Sequence, residues 1–260
     1  PTDFDSVDRA AQRFRYVYDT YLRNAGTKTY LSVIPDKNTF IASQNGYPDK
    51  DYKALTERLR SGFPEAKYID ISGILSVDDF YYTDSHWRQE RILKVADEIA
   101  DKMGTERIGQ CEKHDTGVSF YGVYYGQAAR PHAPERLFYL DNAVIRGLKV
   151  YNVETQSDIP VYDLGAAAGR DPYEMFLGGA RSIIKITNPN AAQERRLIVF
   201  RDSFGSSIAP LLAAGYSEIT LVDIRYISPL SLGKLIDFTK ADDALFLYSA
   251  SVINNSETIK

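Results

Sequence analysis

The first third of the chain alternates helical and strand-like patterns of apolar residues. Apolar positions recur at helical spacing over residues 7–22, which predicts an amphipathic helix. Residues 29–34, ended by Pro35, predict a buried strand, and a short helix at 51–60 and a second strand at 66–71 follow. This order of elements favours a parallel sheet covered by helices.

The same alternation returns near the C-terminal end. It predicts three strands separated by two helices, at residues 197–200, 206–214, 218–224, 231–240 and 244–250. Because neither stretch has enough strands for a sheet of its own, we expect both to build one sheet in a single domain of residues 1–260.

The middle of the chain has a different character. A long helix whose apolar stripe ends at Met103 is stopped by Gly104. Residues at about 112–190 then hold short strand-like runs among Gly, Pro and Asn, which predicts an irregular, β-rich insertion. The predicted fold class is α/β, with a parallel sheet flanked by helices and this insertion in the middle of the chain.

Composition narrows the classes of function. A formal charge of −4 and an isoelectric point near 5.5 give no basic footprint, so we expect no nucleic-acid partner. Cys111 is the only cysteine, which excludes an intramolecular disulfide and a cysteine-based zinc cluster. The 19 tyrosines, against one tryptophan, suit both sugar-binding surfaces and ordinary strands.

The location of the protein is also an expectation from the sequence. No apolar run approaches the roughly 18 residues of a membrane span. The sequence opens at Pro1 without an initiator methionine. We therefore expect an extracytoplasmic protein, at the cell surface or anchored to the membrane through an N-terminal segment that has been removed.

The segment LIVFRDSFGSS, residues 197–207, carries the strongest chemical signal. A hydrophobic strand runs into Asp202 and Ser203, and Gly205 lies in the first turn of the helix that follows. In open parallel sheets reactive groups gather at the carboxyl ends of strands, where helix N–H groups can stabilise an oxyanion. Ser203 is therefore the candidate nucleophile. The alternative is that Asp202 or Ser203 only caps the helix.

A serine nucleophile needs a base, and the chain has three histidines. His114 and His132 lie in polar runs that resemble exposed loops. His86 lies in YYTDSHW at the predicted start of the long helix, where the helix dipole favours the neutral imidazole that a general base requires.

Asp84 precedes His86 by two residues and can orient it. Its carboxylate can accept the Nδ1 proton, fix the tautomer and stabilise the imidazolium that forms during catalysis. The alternative is that Asp84 or Ser85 caps the helix and Trp87 packs in the core.

Several motifs resemble those of a known family. TDSHW at residues 83–87 resembles the motif of the DHHW proteins, with Ser85 in place of the first histidine. RDSFGSSIAPLLAAGYSEITLVDIRY at 201–226 resembles the nucleophile segment of these proteins. IPDKN at 34–38 and DPYEMFLGG at 171–179 extend the resemblance over most of the chain.

This resemblance implies a fold and a catalytic set. DHHW proteins are similar to SGNH-hydrolase-like alginate O-acetylation proteins, whose catalytic set is a serine with an Asp-x-His pair. The matching residues here are Ser203, His86 and Asp84, on an SGNH-hydrolase-like fold. The aspartate and histidine precede the serine, the reverse of the order in ordinary SGNH esterases, and a circularly rearranged sheet accounts for that order.

Further residues are candidates for contacts with the oxyanion or the substrate. The Ser203 backbone N–H is one candidate donor. Arg225 and Tyr226 follow a predicted strand and can reach the same sheet edge; alternatively, Arg225 pairs with an acid and Tyr226 packs. Lys37, in PDKN, is a weaker candidate of the same kind.

Two functional hypotheses follow. The first is a serine acyl-ester enzyme, an O-acetyltransferase or acetylesterase acting on a cell-surface or extracellular carbohydrate, with an acetylated polysaccharide as substrate and a membrane acyl-donor protein as a second partner. The other is a non-catalytic carbohydrate-binding or scaffold protein of the same fold, with the tyrosines of FYGVYYG as stacking platforms. A metal-assisted phosphohydrolase is disfavoured because His and Asp do not cluster at ligand spacing, so we expect no metal and no cofactor.

Overall fold

A computed structural model describes residues 1–128 and 133–260. The strands are β1 (Lys28–Ile34), β2 (Lys67–Tyr68), β3 (Glu112–Phe120), β4 (Glu135–Asp141), β5 (Lys149–Asn152), β6 (Ser157–Ile159), β7 (Ile183–Thr187), β8 (Arg196–Arg201), β9 (Glu218–Val222) and β10 (Asp243–Ser249). The α-helices are α1 (Phe4–Val17), α2 (Asn38–Ile41), α3 (Tyr52–Gly62), α4 (Leu93–Met103), α5 (Val123–Ala128), α6 (Ala143–Gly147), α7 (Leu164–Ala167), α8 (Phe204–Ile208) and α9 (Ala250–Ile253).

Eight strands form one sheet in the order β2-β1-β10-β8-β9-β7-β5-β6. The pairs from β2 to β9 are parallel, and β7, β5 and β6 add antiparallel neighbours at one side. Both α/β stretches of the sequence therefore contribute to one sheet, as predicted. Strand β10 lies between β1 from the first stretch and β8 from the second.

The segment predicted as an insertion is only partly separate from this sheet. Strands β3 and β4 form a two-stranded antiparallel sheet of their own. Strands β5, β6 and β7, in contrast, extend the main sheet through the pairing of β7 with β9. Ile183, Ile184 and Ile186 on β7 are buried. Ile183 packs in the apolar core on one face of the main sheet, and Ile184 and Ile186 pack in the core on the other face.

Both faces of the sheet are covered, as the apolar runs of its parallel strands require. On one face Phe14 of α1 and Leu59 of α3 pack with Phe246 of β10. On the other face Val95 of α4 packs in a cluster that includes Leu245 of β10. Within the part of the chain that the structure describes, no helix has the length and apolar character needed to cross a membrane.

Four predicted elements differ in the structure. The helix predicted at 206–214 is instead α8 (Phe204–Ile208) followed by a 3₁₀ segment, Ala209–Gly215. The strand predicted at 66–71 is reduced to Lys67–Tyr68. The helix predicted at 231–240 is instead two 3₁₀ segments, Pro229–Lys234 and Phe238–Lys240, the second capped by Asp237. The helix that ends at Met103 begins at Leu93, because residues before it are held in a loop closed by a bridge between Phe80 and Trp87.

Candidate active site

The candidate acid and base lie on a closed loop, which we call the acid–base loop (residues 81–86). The Tyr81 N–H donates to the His86 carbonyl at 3.0 Å, beside the bridge between Phe80 and Trp87. Since α4 begins only at Leu93, the expectation that His86 lies at a helix N-terminus was wrong. The loop itself, rather than a helix dipole, fixes the imidazole.

Asp84 and His86 meet within this loop. The Asp84 Oδ1 atom accepts hydrogen bonds from the His86 backbone N–H at 2.9 Å and from the ring Nδ1 at 2.6 Å. With the proton on Nδ1, the Nε2 atom faces outward as an acceptor. Asp84 therefore orients the imidazole rather than capping a helix.

Ser203 reaches the same imidazole from the other half of the chain. It lies between Asp202, the residue after β8, and the start of α8, and its Oγ lies 2.7 Å from His86 Nε2. The structure thus brings Ser203 into one series of hydrogen bonds with Asp84 and with His86, which lies 117 residues earlier in the chain. A nucleophile, a base and a residue that orients the base are the three groups of a serine hydrolase.

The capping alternative for Ser203 is resolved by its neighbour. Asp202 Oδ1 accepts from the Phe204 N–H at 3.1 Å, and Oδ2 accepts from the Ser249 N–H at 2.7 Å. Among the residues described, the Ser203 hydroxyl makes no capping bond and its backbone N–H meets no acceptor. Asp202 therefore stabilises the turn, and the Ser203 hydroxyl contacts His86 instead of capping α8.

An aromatic residue from the middle of the chain packs against the base. The ring of Tyr173 stacks on His86 with centroids 3.9 Å apart and an interplanar angle of 14°. Burial raises the pKa of Tyr173 well above its ordinary value, so its hydroxyl stays protonated and donates to Ser207 Oγ at 2.8 Å. The Trp87 indole N–H donates to the same oxygen at 2.8 Å, which ties the end of the acid–base loop to α8.

The second oxygen of Asp84 is held by the first residue of α5. The Val123 N–H donates to Asp84 Oδ2 at 3.0 Å. Burial opposes ionisation of Asp84, but its hydrogen bonds with His86 and Val123 outweigh burial, so the pKa of this carboxyl lies below its ordinary value. The carboxylate of Asp84 therefore stays charged near neutral pH.

Two further side chains hold the backbone of the acid–base loop. Glu135, at the start of β4, accepts from the Tyr82 N–H at 2.8 Å and from the Thr83 N–H and hydroxyl at 2.7 Å each. Lys37 donates from Nζ to the carbonyl oxygens of Tyr81, Tyr82 and Asp84, each at 2.8 Å. Lys37 was predicted to contact substrate, but its ammonium is engaged by the loop backbone.

The side chains of His86 and Ser203 line a small cavity of about 210 Å³. Polar residues predominate among those that line it: Asp36, Lys37, Asn38, Lys50, Ser85, His86, Tyr124, Asp202, Ser203, Phe204, Ser249, Ser251 and Val252. Asn38 carries an exposed amide at this cavity and was not singled out from the sequence. Two larger hollows of about 640 and 690 Å³ lie near Ala25 and Thr239, away from the three candidate catalytic residues.

Arg225 and Tyr226 lie elsewhere. The Arg225 guanidinium donates to both carboxylate oxygens of buried Asp223, at 2.9 and 2.7 Å. Tyr226 is 52% exposed beneath the Arg225 guanidinium, and neither residue is among those described as lining the cavity. The alternative that Arg225 pairs with an acid is therefore what the structure shows, whereas Tyr226 does not pack in the core.

The other two histidines of the sequence are His114 and His132. His114 lies in β3 rather than in a loop, and its ring stacks on Tyr139 with centroids 5.1 Å apart. His132, predicted to lie in an exposed loop, falls outside the described residues. Over residues 1–128 and 133–260, no group of three His, Cys, Asp or Glu side chains is placed to hold a metal ion.

Comparison with solved structures identifies proteins of the same architecture. A DHHW family protein from Eubacterium siraeum superposes with a TM-score of 0.74 at 16% identity, covering 99% of this chain and 88% of that one. PatB1 from Bacillus cereus, in a structure with a sulfonyl adduct, gives a TM-score of 0.77 at 18% identity, covering 97% of this chain and 91% of that one. This chain shares their fold.

A third solved structure extends the comparison. The O-acetyltransferase domain of AlgJ from Pseudomonas putida gives a TM-score of 0.55 at 12% identity, covering 96% of this chain and 84% of that one. The predicted SGNH-hydrolase-like α/β fold is thereby confirmed. No known family profile matches the sequence, and no curated protein does. At these identities the likeness shows the fold, so the chemistry must be argued from the site itself.

Proposed function

We propose that the chain is a serine acyl-ester enzyme, an O-acetyltransferase or acetylesterase that acts on a cell-surface or extracellular carbohydrate. The observation that carries the proposal is the hydrogen-bonded series from Asp84 Oδ1 through His86 to Ser203 Oγ, with contacts of 2.6 and 2.7 Å. Both contacts are within the reach that proton transfer between a nucleophile and its base requires.

The first half-reaction follows from these contacts. Ser203 Oγ attacks the carbonyl carbon of an acetyl ester while its proton moves to His86 Nε2. The imidazolium is stabilised by the Asp84 carboxylate, which stays ionised. The ester C–O bond then breaks, the leaving alcohol oxygen takes the proton from His86, and acetyl-Ser203 remains.

The second half-reaction repeats these steps with a new oxygen. Water or a sugar hydroxyl gives its proton to His86 Nε2 and attacks the acetyl carbon. The proton then returns to Ser203 Oγ as the product leaves. Water gives an esterase and a sugar hydroxyl gives a transferase, and both proceed through the same acyl-enzyme.

The surroundings of Ser203 suit a small acyl group. The cavity of about 210 Å³ is smaller than the roughly 300–1,000 Å³ typical of drug-sized ligands. The Ser203 N–H and the Asn38 amide are the donors we assign to the developing oxyanion, since both are available at this cavity.

Tyrosines beside the cavity support a carbohydrate substrate. Tyr124 lines the cavity, and Tyr121 and Tyr125 are 41% and 36% exposed with ring centroids 4.5 Å apart. Aromatic rings of this kind offer apolar faces to sugars while their hydroxyls stay in water. A cell-surface glycan as substrate implies an extracytoplasmic location, and acyl transfer implies a donor, for which we propose a membrane acyl-donor protein.

The proposal is tested by trapping the acyl-enzyme. The chain is incubated with p-nitrophenyl acetate, the release of nitrophenol is measured, and mass spectrometry locates the acetyl group. We expect acetylation at Ser203 and the loss of turnover in Ser203→Ala, with Ser231→Ala, on a 3₁₀ segment outside the cavity, as the matched control. Equal turnover in Ser203→Ala and the unsubstituted chain would remove the proposal.

The exposed tyrosines also favour a second candidate, a non-catalytic carbohydrate-binding or scaffold protein. A glycan array separates the two candidates. Binding that is unchanged in Ser203→Ala and His86→Ala, together with an absence of acetyl-Ser203, would favour the second one.

A further inference from the structure

Lys37 makes an unusual set of contacts for a lysine beside a candidate active site. It lies in the turn between β1 and α2 and is half-buried. Its Nζ donates to three carbonyl oxygens of the acid–base loop, those of Tyr81, Tyr82 and Asp84, at 2.8 Å each. The third carbonyl belongs to the residue whose carboxylate orients His86, so Lys37 holds the backbone from which that carboxylate projects.

The number of donors matches the number of acceptors only in one protonation state. An ammonium group has three N–H donors and no lone pair, so it can satisfy three carbonyl oxygens at once. A neutral amine has two N–H donors, and its lone pair would face the third carbonyl oxygen. Loss of the proton therefore breaks one hydrogen bond, weakens the other two and adds a repulsion between lone pairs.

The groups around Lys37 set where it loses this proton. Burial lowers its pKa to about 8; the carboxylates of Asp84 and Glu135 favour the charged form, and Arg88 opposes it. Its neighbour Asp36 is paired with Lys50. The ring of Tyr124 lies under the ammonium, 4.6 Å from Nζ to the ring centroid, which also favours the charged form.

We infer that Lys37 is a positioning residue whose ammonium form keeps Asp84, and through it His86, in place for proton transfer from Ser203. Its deprotonation at alkaline pH releases the acid–base loop and lowers the reactivity of Ser203. This inference rests on the proposed function, because it assigns a controlling group to the same site.

The reactivity of Ser203 can be read without knowing the natural substrate. A fluorophosphonate probe is attacked at phosphorus by Ser203 Oγ, the P–F bond breaks, and His86 takes the serine proton. The second-order rate of modification is measured by intact mass from about pH 6 to about pH 10. Three variants are compared with the unsubstituted chain: Lys37→Met, Lys37→Arg and the control Lys53→Met, whose side chain is 86% exposed on α3.

The inference makes a separate expectation for each protein. The unsubstituted chain and Lys53→Met should lose reactivity as the pH rises past about 8. Lys37→Arg should keep a measurable rate without that decline up to about pH 10, because a guanidinium stays protonated there. Lys37→Met should react about a hundredfold more slowly, as expected of a displaced catalytic group, and should also lack the decline near pH 8.

The outcomes that overturn the inference are distinct from failure of the proposed function. The inference is overturned if the rate of modification falls at alkaline pH to the same extent in Lys37→Arg and in the unsubstituted chain. It is also overturned if the rate does not fall in the unsubstituted chain. The pH profiles of the unsubstituted chain and of Lys37→Arg are sufficient for this test even if Lys37→Met does not fold. If the probe fails to label Ser203 in the unsubstituted chain, the proposed function falls, and this inference falls with it.

Discussion

Gly122→Ala is the substitution whose effect can be worked out most fully. A Cβ atom at residue 122 would lie 2.3 Å from Asp84 Cβ, 2.4 Å from the Thr83 carbonyl oxygen and 2.6 Å from Asp84 Oδ2. The first and third atoms belong to a buried carboxylate side chain, and the second belongs to the backbone. None of them can move aside easily, so the segment that carries residue 122 must lift away from the acid–base loop.

The magnitude follows from the hydrogen bonds that would break. Three backbone N–H groups of this segment donate to the loop: Gly122 to Thr83 Oγ1 at 3.0 Å, Val123 to Asp84 Oδ2 at 3.0 Å, and Tyr124 to the Thr83 carbonyl at 2.9 Å. We expect the free energy of unfolding to fall by about 2–4 kcal/mol, after allowance for the smaller entropy of the unfolded chain with alanine. The bond to the carboxylate alone, about 1.5–3 kcal/mol, corresponds to about a ten- to hundredfold loss of turnover.

Urea unfolding and p-nitrophenyl acetate turnover, measured on the same preparations, test both numbers. Gly73→Ala is the matched control, because no described atom lies within 4 Å of a Cβ built there and its backbone is not left-handed. We expect this control to keep its turnover and to change little in stability. If Gly122→Ala behaves like Gly73→Ala in both assays, the close contact with Asp84 does not govern the site, and the reasoning is refuted.

Two further substitutions separate the site from its surroundings. Asp84→Asn should lower kcat by up to about 10⁴-fold, because an amide does not fix the imidazole tautomer. Circular dichroism should show that this variant is folded. A loss of kcat below tenfold would contradict a Ser-His-Asp mechanism. Arg225→Met should leave kcat and KM unchanged but lower the free energy of unfolding in urea by about 3 kcal/mol, because buried Asp223 loses its closest ion pair at 2.7 Å. A changed KM in Arg225→Met would instead indicate that Arg225 contacts the substrate.

The parts of the site that could be predicted from sequence are those at the ends of regular elements. Ser203 comes two residues after the end of β8, and the short spacing between Asp84 and His86 allows them to meet in a tight loop. These local patterns identify the residues correctly even where the predicted secondary structure around them is wrong. His86 is a case in point, since the helix predicted to start there begins at Leu93, yet the imidazole still meets Ser203.

The supporting residues could not be found in this way. Gly122, Glu135 and Tyr173 come from the irregular middle of the chain, where no periodicity shows which side chains face inward. The contact of Gly122 with Asp84 depends on how two loops approach each other, which leaves no trace in residue spacing. The motif DPYEMFLGG was the one signal near Tyr173, and it marked the segment without indicating the stacking on His86.

The pairing of β7 with β9 escaped prediction for a related reason. Strand β7 is a short antiparallel strand of five residues between β9 and β5, and no crossover helix in the sequence indicates its place beside a parallel strand. Its burial on both faces follows from its position beside β9, which the sequence of β7 does not indicate. Strands β8 and β10, in contrast, have apolar runs at residues 197–200 and 244–248, and both could be assigned from their sequence alone.

The central place of β10 has a consequence for synthesis on the ribosome. This last strand separates β1, which leads toward the acid–base loop, from β8, which leads to the nucleophile, and the Ser249 N–H at its end holds Asp202. A nascent chain that has not yet released residues 243–249 therefore contains Asp84, His86 and Ser203 but lacks the strand that lies between β1 and β8. We therefore expect the contacts among these three residues to form only after residues 243–249 have left the ribosome.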